Sequence, residues 1–302
     1  MNKDDLLKIY HLPLDELIHL AESANKVHSN IELCSIINAK SGACSEDCRY
    51  CAQSAHYNGD AKVYPLLNRE EILEGAVNAK KNGAKRYGIV TSGVSLNAED
   101  FAAVLDVVSF LAKRVDIKID ASLGILTFDE LISLKEAGLA RYHHNLETSR
   151  EFFPKITTTH TYKTRYEVAR NTLKCGLELC CGGIFGIGED PIDRISLALD
   201  IAKLSPTAIP INFLVPIKGT LLENIDKISA EEAIKTIAIF RVICKSSRIV
   251  LAGGRSEVLK GEQGKAFYAG ANGMIIGDLL TTTNEEIEHD KKLLERLNIC
   301  VN

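Results

Sequence analysis

No run of apolar residues in this 302-residue chain approaches the ~20 needed to cross a bilayer. An excess of charge of one sign is missing too. With 36 basic and 40 acidic side chains the formal charge is −4, which gives no ground for a nucleic acid or an acidic membrane as partner. The opening stretch, MNKDDLLKIYHLPLDELIHL, is charged and amphipathic and lacks the apolar segment and small-residue cleavage site of a signal peptide. A cytoplasmic location is therefore expected. Pro- or Ser-rich linkers, low-complexity tracts and internal repeats are not found, so a single domain over residues 1–302 is expected. The remaining composition, 46% hydrophobic and 25% charged, is that of a soluble globular protein with ample core.

Against that background, short β-branched runs alternate with amphipathic segments. The runs fall at 33–39, 86–92, 116–122, 140–146, 177–186, 208–215, 248–254 and 273–278. Between them lie helical patterns such as 68–85 and 229–246, opened by plausible N-caps at Asn68 and Ser229. Eight strands, each followed by a helix, predict an α/β protein whose parallel sheet closes into a (β/α)8 TIM-type barrel. An open doubly wound sheet is the alternative, but no G-x-G-x-x-G follows the first strand. The expected layout is an N-terminal helical extension over 1–32 packed across the barrel, a barrel over 33–283, and a closing helix over 284–302.

Nine cysteines are many for a reducing compartment, where disulfides do not persist. Metal binding or redox chemistry is the default reading, with buried inert thiols the alternative for each isolated cysteine. Cys175, Cys244 and Cys300 fall on or beside helical patterns and read as packing residues. Cys44, Cys48 and Cys51 differ, because they sit in the loop after the first strand, on the active-site face of a barrel. Spaced C-x3-C-x2-C, they suit one face of a 4Fe–4S cluster and leave one iron open. Zinc competes, although a structural zinc site takes four ligands and no nearby Cys or His supplies the fourth. Three buried thiols fit poorly with the charged residues between them, which must face water.

The aromatic Tyr50 before the third cysteine completes a pattern that resembles the signature of the radical S-adenosylmethionine (AdoMet) superfamily. The wider set SGACSEDCRYCAQS (41–54), YHHNLETS (142–149), TTTHTY (157–162), CGGIFGIGE (181–189), VPIKGTLL (215–222) and AGANGMIIGDLLTT (269–282) resembles the biotin synthase family, in the same order along nearly the whole chain. That resemblance implies a 4Fe–4S cluster on Cys44, Cys48 and Cys51 whose open iron chelates AdoMet. It implies radical hydrogen abstraction from dethiobiotin, with sulfur from an auxiliary iron–sulfur cluster. A flavodoxin or ferredoxin electron donor and a homodimer follow from the same resemblance. Two rival readings are a related radical AdoMet enzyme without sulfur insertion, of hydrogenase-maturation or methylornithine type, and a non-catalytic iron–sulfur carrier.

Site residues carry over by position. Tyr50, Gly182, Gly183, Ile184 and Gly186 would lie along AdoMet, the glycines letting backbone approach the flat adenine. Without the resemblance, that segment reads as a tightly turning strand. Asn145 and Glu147, two apart on an extended segment, would hold AdoMet, Glu147 by its ribose hydroxyls. Arg165 would pair with the AdoMet carboxylate, or be an ordinary surface arginine. His143, Asn145 and Asn212 would meet dethiobiotin.

The resemblance breaks at the auxiliary cluster. The family holds a 2Fe–2S unit with three cysteines and an arginine. Cys180 and Arg255 occupy two of those positions, while the other two fall on Gly88 and Asp120. A standard 2Fe–2S cluster is not expected there. Cys34, on the first strand, is expected at the same depth, so Cys34, Cys180 and Arg255, with Asp120 or Cys181, are the candidates for an altered centre. Adjacent strand residues face opposite sides, so only one of Cys180 and Cys181 should enter the barrel.

Overall fold

The computed structural model describes residues 1–26, 30–279 and 285–301. The expected boundary at 283–284, and the end of the 269–282 motif, lie outside the described residues. Two helices, α1 (Lys3–Tyr10) and α2 (Leu14–Ala24), precede the sheet. The first half of the barrel runs β1 (Glu32–Lys40), α3 (Arg69–Lys81), β2 (Arg86–Thr91), α4 (Ala98–Arg114), β3 (Lys118–Ser122), α5 (Phe128–Ala137), β4 (Arg141–His143) and α6 (Tyr162–Lys174). The second half runs β5 (Glu178–Cys180), β6 (Gly183–Phe185), α7 (Pro191–Leu204), β7 (Ala208–Phe213), α8 (Ala230–Ile243), β8 (Arg248–Leu251), α9 (Arg255–Leu259), α10 (Gln263–Tyr268) and β9 (Gly273–Ile275). Helix α11 (Ile287–Arg296) follows.

All strand pairings within the sheet are parallel, in the order β5-β4-β3-β2-β1-β9-β8-β7-β6, and β5 also pairs with β7 through Cys180 and Ala208. That last contact closes the ring. β5 and β6 are two pieces of one barrel strand, interrupted at Cys181 and Gly182, so the nine segments make the eight-stranded (β/α)8 barrel.

Local sequence sets the elements. Asn68 caps α3 and is answered by Glu71 in a capping box, and Thr127 with Glu130 does the same for α5. Ser229 accepts from Glu232 N at the start of α8. Helix α8 is buried on nearly every side because α2 lies over its outer face. The N-terminal helices thus cover the outer ring at α7 and α8 rather than crossing the end of the barrel. The buried Tyr10 fixes this arrangement, its hydroxyl donating to Glu232 at 2.7 Å and accepting from Arg194 at 2.6 Å.

Candidate active site

A cavity of about 400 Å³ opens at the C-terminal mouth of the barrel and runs down between the strands. Cys44, Cys48, Cys51 and Tyr50 line it, as do Asn145, Glu147, Arg165 and Ile184. Deeper in the same cavity lie Cys34, Asp120, Arg141, His143 and Cys180, with Asn212 on the β7 wall.

The cysteine loop is held by backbone and side chain alike. Cys44 N–H donates to Gln53 O and Ala55 N–H to Cys44 O, so the loop returns beside its own start. Asp47 docks it on the loop before α6, its carboxylate accepting from Thr157 Oγ1 at 2.7 Å and Thr158 N at 2.8 Å. Partial burial works against ionisation, but the bonds from Thr158 and Thr157 hold the Asp47 carboxyl well below the usual range. Burial pushes the Cys48 thiol up to about 12 and the Cys51 thiol up to about 11, with Arg165 opposing the shift at Cys48. Among the described residues no three His, Cys, Asp or Glu side chains converge as a single ion would need. The loop therefore does not present a zinc-type ligand set. A cluster needs no such convergence, because each thiolate binds a different iron.

Beside the loop stands a connected polar wall. Arg165 donates from Nη1 to Asn145 O at 2.8 Å and from Nε to His160 Nε2 at 3.0 Å, and its Nη2 lies 3.6 Å from Glu147 Oε1. The other ring nitrogen of His160 meets Glu46 in the cysteine loop, so a relay joins that loop to Arg165. Asn145 Nδ2 donates to Glu147 Oε2 at 3.3 Å while its Oδ1 accepts from Gly182 N. Glu147 has φ +70°, a conformation costing ~1–3 kcal/mol outside glycine. It is kept there because Glu147 N–H donates to Gly182 O and Glu147 O accepts from Ile184 N. Burial pushes the Glu147 carboxyl up, and Arg165 opposes it.

Two buried polar atoms on the wall have no hydrogen-bond partner among the described residues, Thr91 Oγ1 and His144 Nε2. Such orphans are costly unless a polar ligand meets them. Together with three thiols at the mouth, they fit a cavity built around a cluster and a polar cofactor.

The floor is charged. Asp120 accepts from Arg86 Nη1 at 2.9 Å, and both Nε and Nη2 of Arg141 reach it, at 2.9 and 2.6 Å. Arg141 Nη2 also lies 3.8 Å from Cys34 Sγ, and His143 Nδ1 lies 3.2 Å from Cys180 Sγ. Burial raises the Cys34 thiol to about 12 and the Cys180 thiol to about 11, with Arg141 opposing both, and lowers His143 to about 4.

Several expected positions fall elsewhere. Arg255 does not reach the cavity: it is wholly buried behind β8, where Nη2 pairs with Asp290 at 2.6 Å and Nη1 donates to Gln263 at 2.5 Å. The β8 side chain that enters beside Cys180 is Val250. Cys181 points into the outer core between sheet and helices, away from the cavity. Asp120 is on the floor, but both carboxylate oxygens are taken by arginines, which makes it a counter-ion rather than a free ligand. At Gly88, the position of a cysteine ligand by resemblance, the chain offers no side chain, and the Ile36 Cγ2 methyl stands 3.1 Å from where a Cβ would lie. A 2Fe–2S cluster on the ligand set implied by resemblance does not fit.

The glycines also serve another purpose. A Cβ at Gly182 would lie 2.0 Å from Pro210 O, and one at Gly183 2.4 Å from Glu147 O. Their bare backbone admits neighbouring strands, and neither lines the cavity. Gly186 donates to Glu189 at 3.0 Å in the turn after β6 and stands outside the cavity as well. Asn212 lines the cavity but also ties strands together, donating to Gly183 O at 3.1 Å and accepting from Gly253 N at 3.0 Å. Sequence reasoning passed over Arg141, His144 and the Glu46–His160 relay. For the last, the three threonines and histidine at 157–160 were the visible signal.

Comparison with known proteins fits this geometry. Residues 39–201 match the Radical SAM superfamily, and residues 210–300 match the Biotin and Thiamin Synthesis associated domain. Both segments contribute strands to the one barrel. The biotin synthase of Thermotoga petrophila is 48% identical over 96% of this chain and 98% of its own. That of Clostridium perfringens is 45% identical over 100% and 95%. Among solved structures, a methylornithine synthase superposes with a TM-score of 0.85 at 20% identity, over 100% of this chain and 94% of its own, which is a likeness of fold alone. With the cysteine loop, the polar wall beside it and relatives of nearly half-identical sequence along their whole length, the chain belongs to the biotin synthase family of radical AdoMet enzymes.

Proposed function

We propose that this chain converts dethiobiotin to biotin inside the barrel, with two iron–sulfur centres at different depths. Cys44, Cys48 and Cys51 hold the 4Fe–4S cluster at the mouth. Bound there and reduced, the cluster would supply the one electron that splits AdoMet into methionine and a 5′-deoxyadenosyl radical. Tyr50 and Ile184 flank AdoMet, Glu147 accepts from its ribose, and Arg165 pairs with its carboxylate. Asn145 fixes the Glu147 carboxylate, and the Glu46–His160 relay aims Arg165. Asn212 and the unpartnered His144 edge offer polar contacts to the ureido ring, and apolar lining residues such as Ile125, Phe213 and Leu214 exclude water from the reacting carbons. Cys34 and Cys180, with Arg141 as counter-charge, would hold a deeper iron–sulfur centre that provides the sulfur and is not a standard 2Fe–2S unit. One observation carries this reading: a single cavity joins the cysteine loop, the Asn145–Glu147–Arg165 wall and two further thiols below them. A flavodoxin or ferredoxin donor, a homodimer and a cytoplasmic location complete the proposal, and they rest on family resemblance.

The test is an anaerobic assay of reconstituted protein with AdoMet, dithionite and dethiobiotin, reading 5′-deoxyadenosine and biotin by mass spectrometry. Both products are expected. Deoxyadenosine without biotin would contradict the substrate and point to a radical enzyme of another reaction.

A further inference from the structure

Two adjacent barrel strands bring an imidazole and a thiol together. His143 on β4 is the register partner of Cys180 on β5. Parallel partners in a barrel project to the same side, and both residues line the cavity. His143 Nδ1 stands 3.2 Å from Cys180 Sγ. Two ligands of one tetrahedral metal, with metal–sulfur at ~2.3 Å and metal–nitrogen at ~2.0 Å, are held roughly 3.6 Å apart. The pair is within a few tenths of an ångström of that spacing, so a metal could replace the proton between them with side-chain adjustment alone. Cys34 reaches the same floor from β1, and Arg141 stands against its sulfur. The positions that would have completed an all-cysteine set offer no side chain at Gly88 and a carboxylate taken by ion pairs at Asp120, which leaves the imidazole as the neighbouring donor turned towards Cys180.

We propose that His143 and Cys180 form a mixed imidazole–thiolate ligand pair for the auxiliary iron–sulfur centre, with Cys34 a further thiolate from across the floor. This rests on the reading that the barrel holds such a centre, and it moves His143 from substrate contact to metal ligand. A neutral nitrogen in place of a thiolate makes the centre less negative and raises its reduction potential.

The experiment uses the Cys44→Ala/Cys48→Ala/Cys51→Ala chain, in which iron bound after anaerobic reconstitution belongs to the deeper centre. No AdoMet is added, so no cofactor nitrogen interferes. Pulsed electron paramagnetic resonance compares protein made with ordinary histidine and with histidine labelled by heavy nitrogen. One state of a one-electron couple always has an odd electron count, so a signal is available. The proposal expects a directly bound nitrogen coupling that changes with the histidine label. In a His143→Cys addition the coupling should vanish, the iron should stay, and the potential should fall. Iron retained with a label-insensitive spectrum overturns the histidine ligand and leaves the auxiliary centre standing. Wild-type protein that takes up only about four irons per chain overturns the auxiliary centre itself. The same label comparison on wild-type protein without AdoMet serves if the triple variant does not fold.

Discussion

Two arginines expected at the site do different work, and their partners show which is which. Arg165 stands at the mouth with Glu147 as its nearest anion and donates to the Asn145 carbonyl. A charge-assisted contact to a bound carboxylate is worth ~1.5–3 kcal/mol, about ten- to a hundred-fold in affinity. Arg165→Gln should therefore raise the AdoMet dissociation constant by about that factor with the iron content unchanged, as read by calorimetry on the reconstituted protein. Arg255 has no such role. Its guanidinium is fully buried against Asp290, and removing one partner of a buried pair costs ~3–5 kcal/mol. Arg255→Ala should lower the denaturant midpoint by a corresponding amount while iron per folded chain stays constant, whereas loss of iron from folded protein would return Arg255 to the cluster site. The residue patterns explain why one arginine was legible and the other misplaced. Arg165 was placed by family resemblance alone, three residues after the 157–162 motif. Arg255 follows a Gly253–Gly254 turn that carries it behind the sheet, and its partner lies 35 positions along the chain.

Secondary-structure elements were readable where their signals are local. Capping residues placed the starts of α3 and α8, and β-branched runs placed the barrel strands. The break between β5 and β6 was not visible, since it depends on backbone contacts with Pro210 and Glu147. These contacts give the glycines their stringent requirement. A Gly182→Ala substitution would force a methyl within 2.0 Å of the Pro210 carbonyl and push β5–β6 from β7. Overpacking of this kind costs ~1–3 kcal/mol, so thermal unfolding should begin several degrees lower. An unchanged melting curve would show that the strand can shift at no cost. The short 3-residue β4 hands the chain to the Asn145–Glu147 segment, whose left-handed Glu147 turns the carboxylate back to Arg165.

At the scale of the whole molecule, the barrel arranges chemistry by depth. The loop after β1 covers the mouth, and Asp47 binds it to the 157–159 threonines more than a hundred residues away. Partners behind a metal ligand typically govern ~10–100-fold in metal retention. Asp47→Ala should therefore lose the 4Fe–4S absorbance faster under a chelator, by at least about ten-fold, with its fold intact by circular dichroism. Below the mouth, Arg141 and Asp120 set a charged floor under Cys34 and Cys180, and the proposed function puts substrate between a radical source at the mouth and a sulfur source at that floor. The direct measurement of that arrangement is a single-turnover reaction of protein reconstituted with heavy-isotope sulfide, followed by mass spectrometry of the biotin released. The two-depth account predicts labelled biotin from wild-type protein and almost none from Cys34→Ala/Cys180→Ala, which should still cleave AdoMet at the mouth. Labelled biotin from that double variant at the wild-type yield would contradict it.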